Sequence, residues 1–139
     1  MKNMIKTFYI DSNIFLFPVL YENDKAEKAG NILKNIENKK IIGYTSLLTW
    51  DEITYVVNKV MGKPDSILIG KKFIEYPNLR FINIDMNIII NSQEIREKYN
   101  IKPRDSIHIA CAISKGINKI ISDDSDFDLI DLIKRIKLE

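Results

Sequence analysis

The chain has 139 residues, 45% hydrophobic and 29% charged, which is the size and balance of one globular domain spanning 1–139 that needs no disulfide to close its core. Cys111 is the single cysteine, the opening MKNMIKTFYI holds too short an apolar run for a signal peptide, and no stretch approaches the roughly 20 apolar residues of a membrane span. Secretion and membrane spanning are therefore excluded and a cytoplasmic protein is expected, while a net charge of +2 is too small to mark a nucleic-acid binder by electrostatics alone.

Taken in chain order, the elements alternate. Thr7–Ile10 (TFYI) is a short β-favouring run that stops at Asp11-Ser12-Asn13, a turn or helix-cap signal leading into the segment Asn13–Phe17. Residues 23–38 carry Ala26, Ala29, Ile32, Leu33 and Ile36 at helical spacing. Ile41–Thr45 is a second strand, and Ser46 can cap a helix running to about Met61, closed by Gly62 and Pro64. A helix from about Asp65 to Glu75, a strand over 79–84 and a helix over 86–99 follow. Pro103 suits the first turn of a helix reaching Ser114 and ended by Gly116, after which 118–121 reads as a fourth strand and 133–138 can hold a fifth. Strands alternating with helices specify an α/β protein with right-handed crossovers and a parallel sheet covered on both faces. In such sheets the ligand crevice opens beyond the carboxyl ends of the strands, at a topological switch point.

Several acids fall at such ends. Asp11 directly follows the first strand and can serve either as an N-cap or as a crevice residue. On the helix after the second strand, Trp50, Ile53, Val56, Val57, Val60 and Met61 trace an apolar arc; Asp51 points away from it, whereas Glu52 lies just beyond its edge and is the candidate. Asp105 opens a largely apolar helix (Ile107, Ile109, Ala110, Cys111, Ala112, Ile113), where an acid also complements the helix dipole. His108 is within reach of Asp105, but a lone histidine at helical spacing reads as structural, and Cys111 reads as core. Ser122-Asp123-Asp124-Ser125-Asp126 follows the fourth strand with three acids where a capped turn needs one, while Asp128 and Asp131 read as solvated charges.

With the first strand central and the fourth beside it, Asp11, Glu52, Asp105 and Asp124 converge. Four ionised carboxylates in one pocket are costly without compensation, and a divalent cation compensates them. Oxygen donors with no Cys or His cluster suit Mg²⁺ or Mn²⁺. The matching reaction is hydrolysis of a phosphodiester by an activated water. With Asp11, Glu52, Asp105, Asp124 and Asp126 set aside, 21 basic residues face 14 acidic ones, a balance compatible with a polyanion around the pocket.

These segments, the strand ending in Asp11-Ser12-Asn13, TSLLTWDE with Glu52, KPRDSIHIACA with Asp105 and SDDSDF, resemble in their order the PIN-domain ribonucleases, most closely the small VapC-type toxins of toxin–antitoxin pairs. The resemblance implies a three-layer α/β/α sandwich with about five parallel strands in the order 3-2-1-4-5. It also implies Mg²⁺- or Mn²⁺-dependent endoribonuclease activity on an RNA substrate, a homodimer and a cognate antitoxin. By position, Asp11, Glu52, Asp105 and Asp124 correspond to the family's catalytic, metal-holding acids. Asp126 matches a less constant fifth, and Ser122 stands where a small hydroxyl residue is common. Asp123 is an extra acid, which leaves the division between Asp123 and Asp124 open, and Arg104 is kept out of the site.

Three rivals fit less well. A haloacid-dehalogenase-type phosphatase needs a second acid two residues after the first, and Asn13 stands there. A receiver domain carries adjacent acids after its first strand, whereas this strand ends in TFYIDSN. A non-catalytic nucleic-acid-binding or assembly module of the same fold has no use for four converging carboxylates.

Overall fold

In a computed structural model that describes residues 5–138, the chain runs as β1 (Thr7–Ile10), α1 (Ser12–Leu20), α2 (Asp24–Glu37), β2 (Ile42–Ser46), α3 (Leu47–Met61), α4 (Lys63–Ile74), β3 (Arg80–Ile82), α5 (Met86–Lys98), α6 (Pro103–Ser114), β4 (Lys119–Ile121), a 3-10 turn (Ser125–Leu129) and β5 (Lys134–Ile136). The ends of the expected 1–139 domain, residues 1–4 and 139, lie outside the described residues. The strands form one parallel sheet in the order β3-β2-β1-β4-β5, the order that the resemblance implied. Register is set at the centre, where Tyr9 lies opposite Tyr44 on one side and Ile120 on the other.

Side chains alternate along β1 and so feed two cores. Tyr9 joins Ile120, Ile109, Ala112, Ile88 and Ile95 beneath α5 and α6. Phe8 and Ile10 join Ile14, Ala29, Ile36, Ile53 and Phe73 beneath α1 to α4. Each fully buried Ile or Phe contributes on the order of 1.5–3 kcal/mol, and the two layers together hold the sheet between them. Gly62 ends α3 and begins α4 at φ +98°, a backbone conformation that favours glycine and lets two helices meet across a single residue. Among the described residues no helix is long and apolar enough to cross a membrane.

Two expectations need correction. The segment after Asp11 is a full helix, Ser12–Leu20, longer than Asn13–Phe17 and continuing through Pro18. SNIFLFPVL is apolar on every face, so no periodicity announces it; it is buried at Ile14 and Phe15 and begun by the Asp11 cap. The buried stripe of α3 is Thr49, Ile53 and Val57, with Trp50, Val60 and Met61 exposed instead. Trp50 lines an apolar groove of about 670 Å³ between α3 and α4, against Gly70 and beside the exposed Asp51. Asp51 faces solvent and Glu52 is half-buried, as the helix geometry requires.

β1 lies between β2 and β4: the chain crosses from β1 to β2 on one side and, after β3, returns past β1 to β4 on the other, so the strand order reverses at β1. The crevice rule therefore puts a site above Ile10, where Asp11 begins.

Candidate metal centre

Asp11 is both cap and crevice residue. Its Oδ1 accepts from the Ser12 amide at 2.8 Å, starting α1. Its Oδ2 accepts from Ser122 Oγ at 2.6 Å and from Asn13 Nδ2 at 3.3 Å. Ser122 Oγ in turn accepts from the Asp124 amide at 2.9 Å, so one hydroxyl ties the end of β1 to the loop after β4. Burial raises the Asp11 carboxyl above its ordinary value, against the lowering influence of His108, Ser122 and the Ser12 amide.

Glu52 reaches the same crevice from α3. Its Oε1 lies 2.5 Å from His108 Nε2, and the same nitrogen is 3.9 Å from Asp11 Oδ1. An ionised carboxylate only accepts, so His108 Nε2 carries a proton and donates it to Glu52. The Tyr9 hydroxyl lies 2.6 Å from the other ring nitrogen, Nδ1. Burial by itself lowers the basicity of this wholly enclosed ring, but the Glu52 hydrogen bond and the charges of Asp11, Glu52 and Asp105 outweigh it and hold the ring above its ordinary value. His108 is thus part of the site, in contact with Glu52 rather than Asp105. Sequence reasoning took it for a structural residue; its place three positions after Asp105, inside an otherwise apolar run, was the available signal.

Asp105, Asp124 and Asp126 form the second half, with one oxygen of each within 4.8 Å of the others; atoms of Asp11, Glu52 and His108 form the first half on the same measure. Asp124 caps the 3-10 turn through the Asp126 amide at 2.9 Å. Asp105 Oδ2 is buried and has no hydrogen-bond partner. Burial, reinforced by Asp124 and Asp11, pushes the Asp105 carboxyl from 3.8 up to about 6. Asp123 turns away to Lys25 on α2 at 2.8 Å. Asp128 is exposed but held by Arg135 at 2.8 and 2.9 Å, and the Tyr99 hydroxyl donates to Asp131. Cys111 is buried in the core, its thiol pushed by burial up to about 11.

An open cleft of about 510 Å³ joins the halves, lined by Glu52, Lys102, Pro103, Arg104, Asp105 and Asp124. Lys102 Nζ stands 3.7 Å from Asp126, an exposed contact too weak to balance the cluster. The donors are hard oxygens gathered around an unpartnered buried one, an arrangement that fits a divalent cation.

One consequence is measurable without any cation. Asp105, Asp11 and His108 all bind protons more tightly in the folded than in the unfolded chain. Stability is therefore lost as pH rises through the window from 3.8 to about 6 for Asp105 and further as His108 deprotonates. In excess chelator the melting temperature is expected to be higher at pH 5.5 than at pH 8, and a scanning calorimeter reads it directly.

The PIN domain family model matches residues 8–132. Ribonuclease VapC2 of Methanocaldococcus jannaschii is 25% identical over 142 residues, covering 94% of this chain and 93% of that protein. Among solved structures, VapBC2 from Rickettsia felis, bound to a DNA fragment from its promoter, superposes with a TM-score of 0.74 at 17% identity, over 96% of this chain and 99% of that one. Mycobacterium tuberculosis VapC20, described as a toxin cleaving the sarcin-ricin loop, superposes with a TM-score of 0.74 at 14% identity, over 87% and 92%.

Proposed function

The chain belongs to the PIN-domain family, and on that premise we propose that it is a metal-dependent endoribonuclease of the VapC toxin type. It would hydrolyse RNA phosphodiester bonds at the acidic cleft, as a single domain over residues 1–139 acting in the cytoplasm. The observation that carries the reading is Asp105 Oδ2, buried without a partner in a carboxyl group that clusters with Asp124 and Asp126. A buried carboxylate oxygen without a partner is costly, and a bound cation would satisfy it.

Asp11, Glu52, Asp105 and Asp124, with Asp126, would hold Mg²⁺ or Mn²⁺. Such an ion supplies Lewis-acid activation of water and neutralises charge on the phosphate. The chain's own residues then have separate tasks. Ser122 and Asn13 fix Asp11 by hydrogen bonds to Oδ2. The His108 ring fixes Glu52 through Oε1. Lys102 and Arg104, exposed on the lip of the cleft, meet the RNA backbone as point charge and planar fork. A homodimer and a cognate antitoxin complete the proposal; the antitoxin is supported by structural relatives solved as VapBC complexes.

The test is incubation of pure protein with a pool of tRNA and single-stranded RNA in Mn²⁺ or Mg²⁺, beside a chelator control and an Asp11→Asn variant with unchanged circular dichroism. Cleavage is expected with either ion and should vanish in both controls. Cleavage that persists in Asp11→Asn contradicts the site assignment, and absence of cleavage on every RNA with both ions contradicts the nuclease reading.

A further inference from the structure

Tyr9 sits in the middle of β1 with no exposure, on the face that packs against α6, where a phenylalanine would satisfy the apolar core. Its hydroxyl lies 2.6 Å from His108 Nδ1 and donates to Ser46 Oγ at 2.9 Å. The two rings meet edge to face with centroids 5.5 Å apart. Ser46 is equally enclosed. It stands at the N-cap of α3, yet its side chain makes no capping hydrogen bond and is engaged by Tyr9 instead. A buried hydroxyl is costly unless paired, and a cap serine that does not cap forgoes about 1 kcal/mol of helix stability. The two meet at the Tyr9 hydroxyl, which lies on Nδ1 of His108, whose other nitrogen holds Glu52 Oε1.

We propose that Ser46 and Tyr9 are positioning residues for the metal site: a buried chain Ser46–Tyr9–His108–Glu52 fixes the imidazole plane and, through it, the carboxylate of Glu52. The inference rests on the carboxylate–metal reading of the cleft and adds residues that touch neither cation nor RNA. The geometry suits the role. The ring is held at both nitrogens, so it cannot turn about its bond to the chain without breaking a contact. Glu52 Oε2 forms no hydrogen bond among the described residues, so one carboxylate oxygen is clamped and the other remains available. The chain also links four elements around the crevice, since Ser46 ends β2, Tyr9 lies in β1, His108 in α6 and Glu52 in α3, the helix that Ser46 begins.

The experiment is a double-mutant cycle on Mn²⁺ affinity, read by electron paramagnetic resonance of the free ion, with wild type, Tyr9→Phe, Glu52→Ala and the double variant. Tyr9→Phe keeps the ring and removes only the hydroxyl. It is expected to weaken Mn²⁺ binding roughly 3- to 10-fold, the size of one net hydrogen bond. In the Glu52→Ala background the same change should have no further effect, because the carboxylate it positions is gone. With RNA, the loss should fall on kcat and leave KM unchanged. Equal weakening in both backgrounds, or none in either, overturns the proposal. So does nitrogen hyperfine coupling on bound Mn²⁺, which would make His108 a ligand rather than a clamp. If Tyr9→Phe does not fold, Ser46→Ala run through the same cycle decides the matter by the same criteria. Wild type that binds no Mn²⁺ is a different result: it removes the metal reading itself and the proposal with it.

Discussion

Asp105→Asn is expected to stabilise the metal-free protein while sharply lowering its activity. The carboxyl is pushed up to about 6, chiefly by burial and then by Asp124 and Asp11, so at pH 7.5 it is ionised at a cost. A shift of that size corresponds to about 3 kcal/mol before screening; the group is only half-buried, which brings the expected gain from neutralising it to about 1 kcal/mol. For a chain of this length that raises the melting temperature by roughly 3–5 °C in chelator. The gain should disappear at pH 5, below the Asp105 value, where wild type carries the proton itself. Saturating Mn²⁺ should reverse the order, since only the carboxylate gains from the cation. RNA cleavage should fall by about 10²–10³-fold, as when one preorganised electrostatic group is removed from a reacting site. A variant less stable than wild type in chelator at pH 7.5 would show that Asp105 is not under charge stress.

His108→Leu should be the most damaging single change at the site. The imidazole is fully buried and touches Glu52 at 2.5 Å and Tyr9 at 2.6 Å. Leucine fills most of its volume but leaves Glu52 without its hydrogen-bond donor and the Tyr9 hydroxyl without one neighbour. Removing one partner of a buried pair costs about 3–5 kcal/mol; Glu52 keeps some solvent contact, which places the expected loss near 3 kcal/mol. Urea unfolding in chelator measures it. Saturating divalent cation should restore part of the loss, because positive charge returns beside Glu52. His108→Gln, which keeps a donor, should cost less. A loss under about 0.5 kcal/mol, the scale of ordinary surface substitutions, would mean that the pair contributes nothing to the fold.

The strands were legible because TFYI, IIGYT and LRFINI are β-favouring runs punctuated by turn residues, and a parallel sheet follows from their alternation with helices. Strand order has no local signature, and here it came from the family resemblance. The α1 helix escaped full description because SNIFLFPVL lacks a polar face and contains Pro18. The arc drawn on α3 was too wide, since Trp50 lines the groove toward α4 and Val60 and Met61 are exposed, none of them in the core. Within the cleft, the separation of Asp51 from Glu52 was readable from a 100° turn per residue. The separation of Asp123 from Asp124 was not, because it depends on Lys25, some hundred residues away in sequence. His108 was underrated for the same reason: its meaning lies in Glu52 and Tyr9, both brought to it only by the fold.

The most direct test is anomalous diffraction at the manganese edge from crystals grown with Mn²⁺. A peak ligated by carboxylate oxygens of Asp11, Glu52, Asp105 or Asp124 is expected, with Asp123 still paired to Lys25. No peak in the cleft at saturating Mn²⁺, or a peak held by Asp123 or Asp128 instead, would contradict the assignment of these carboxylates as the metal centre.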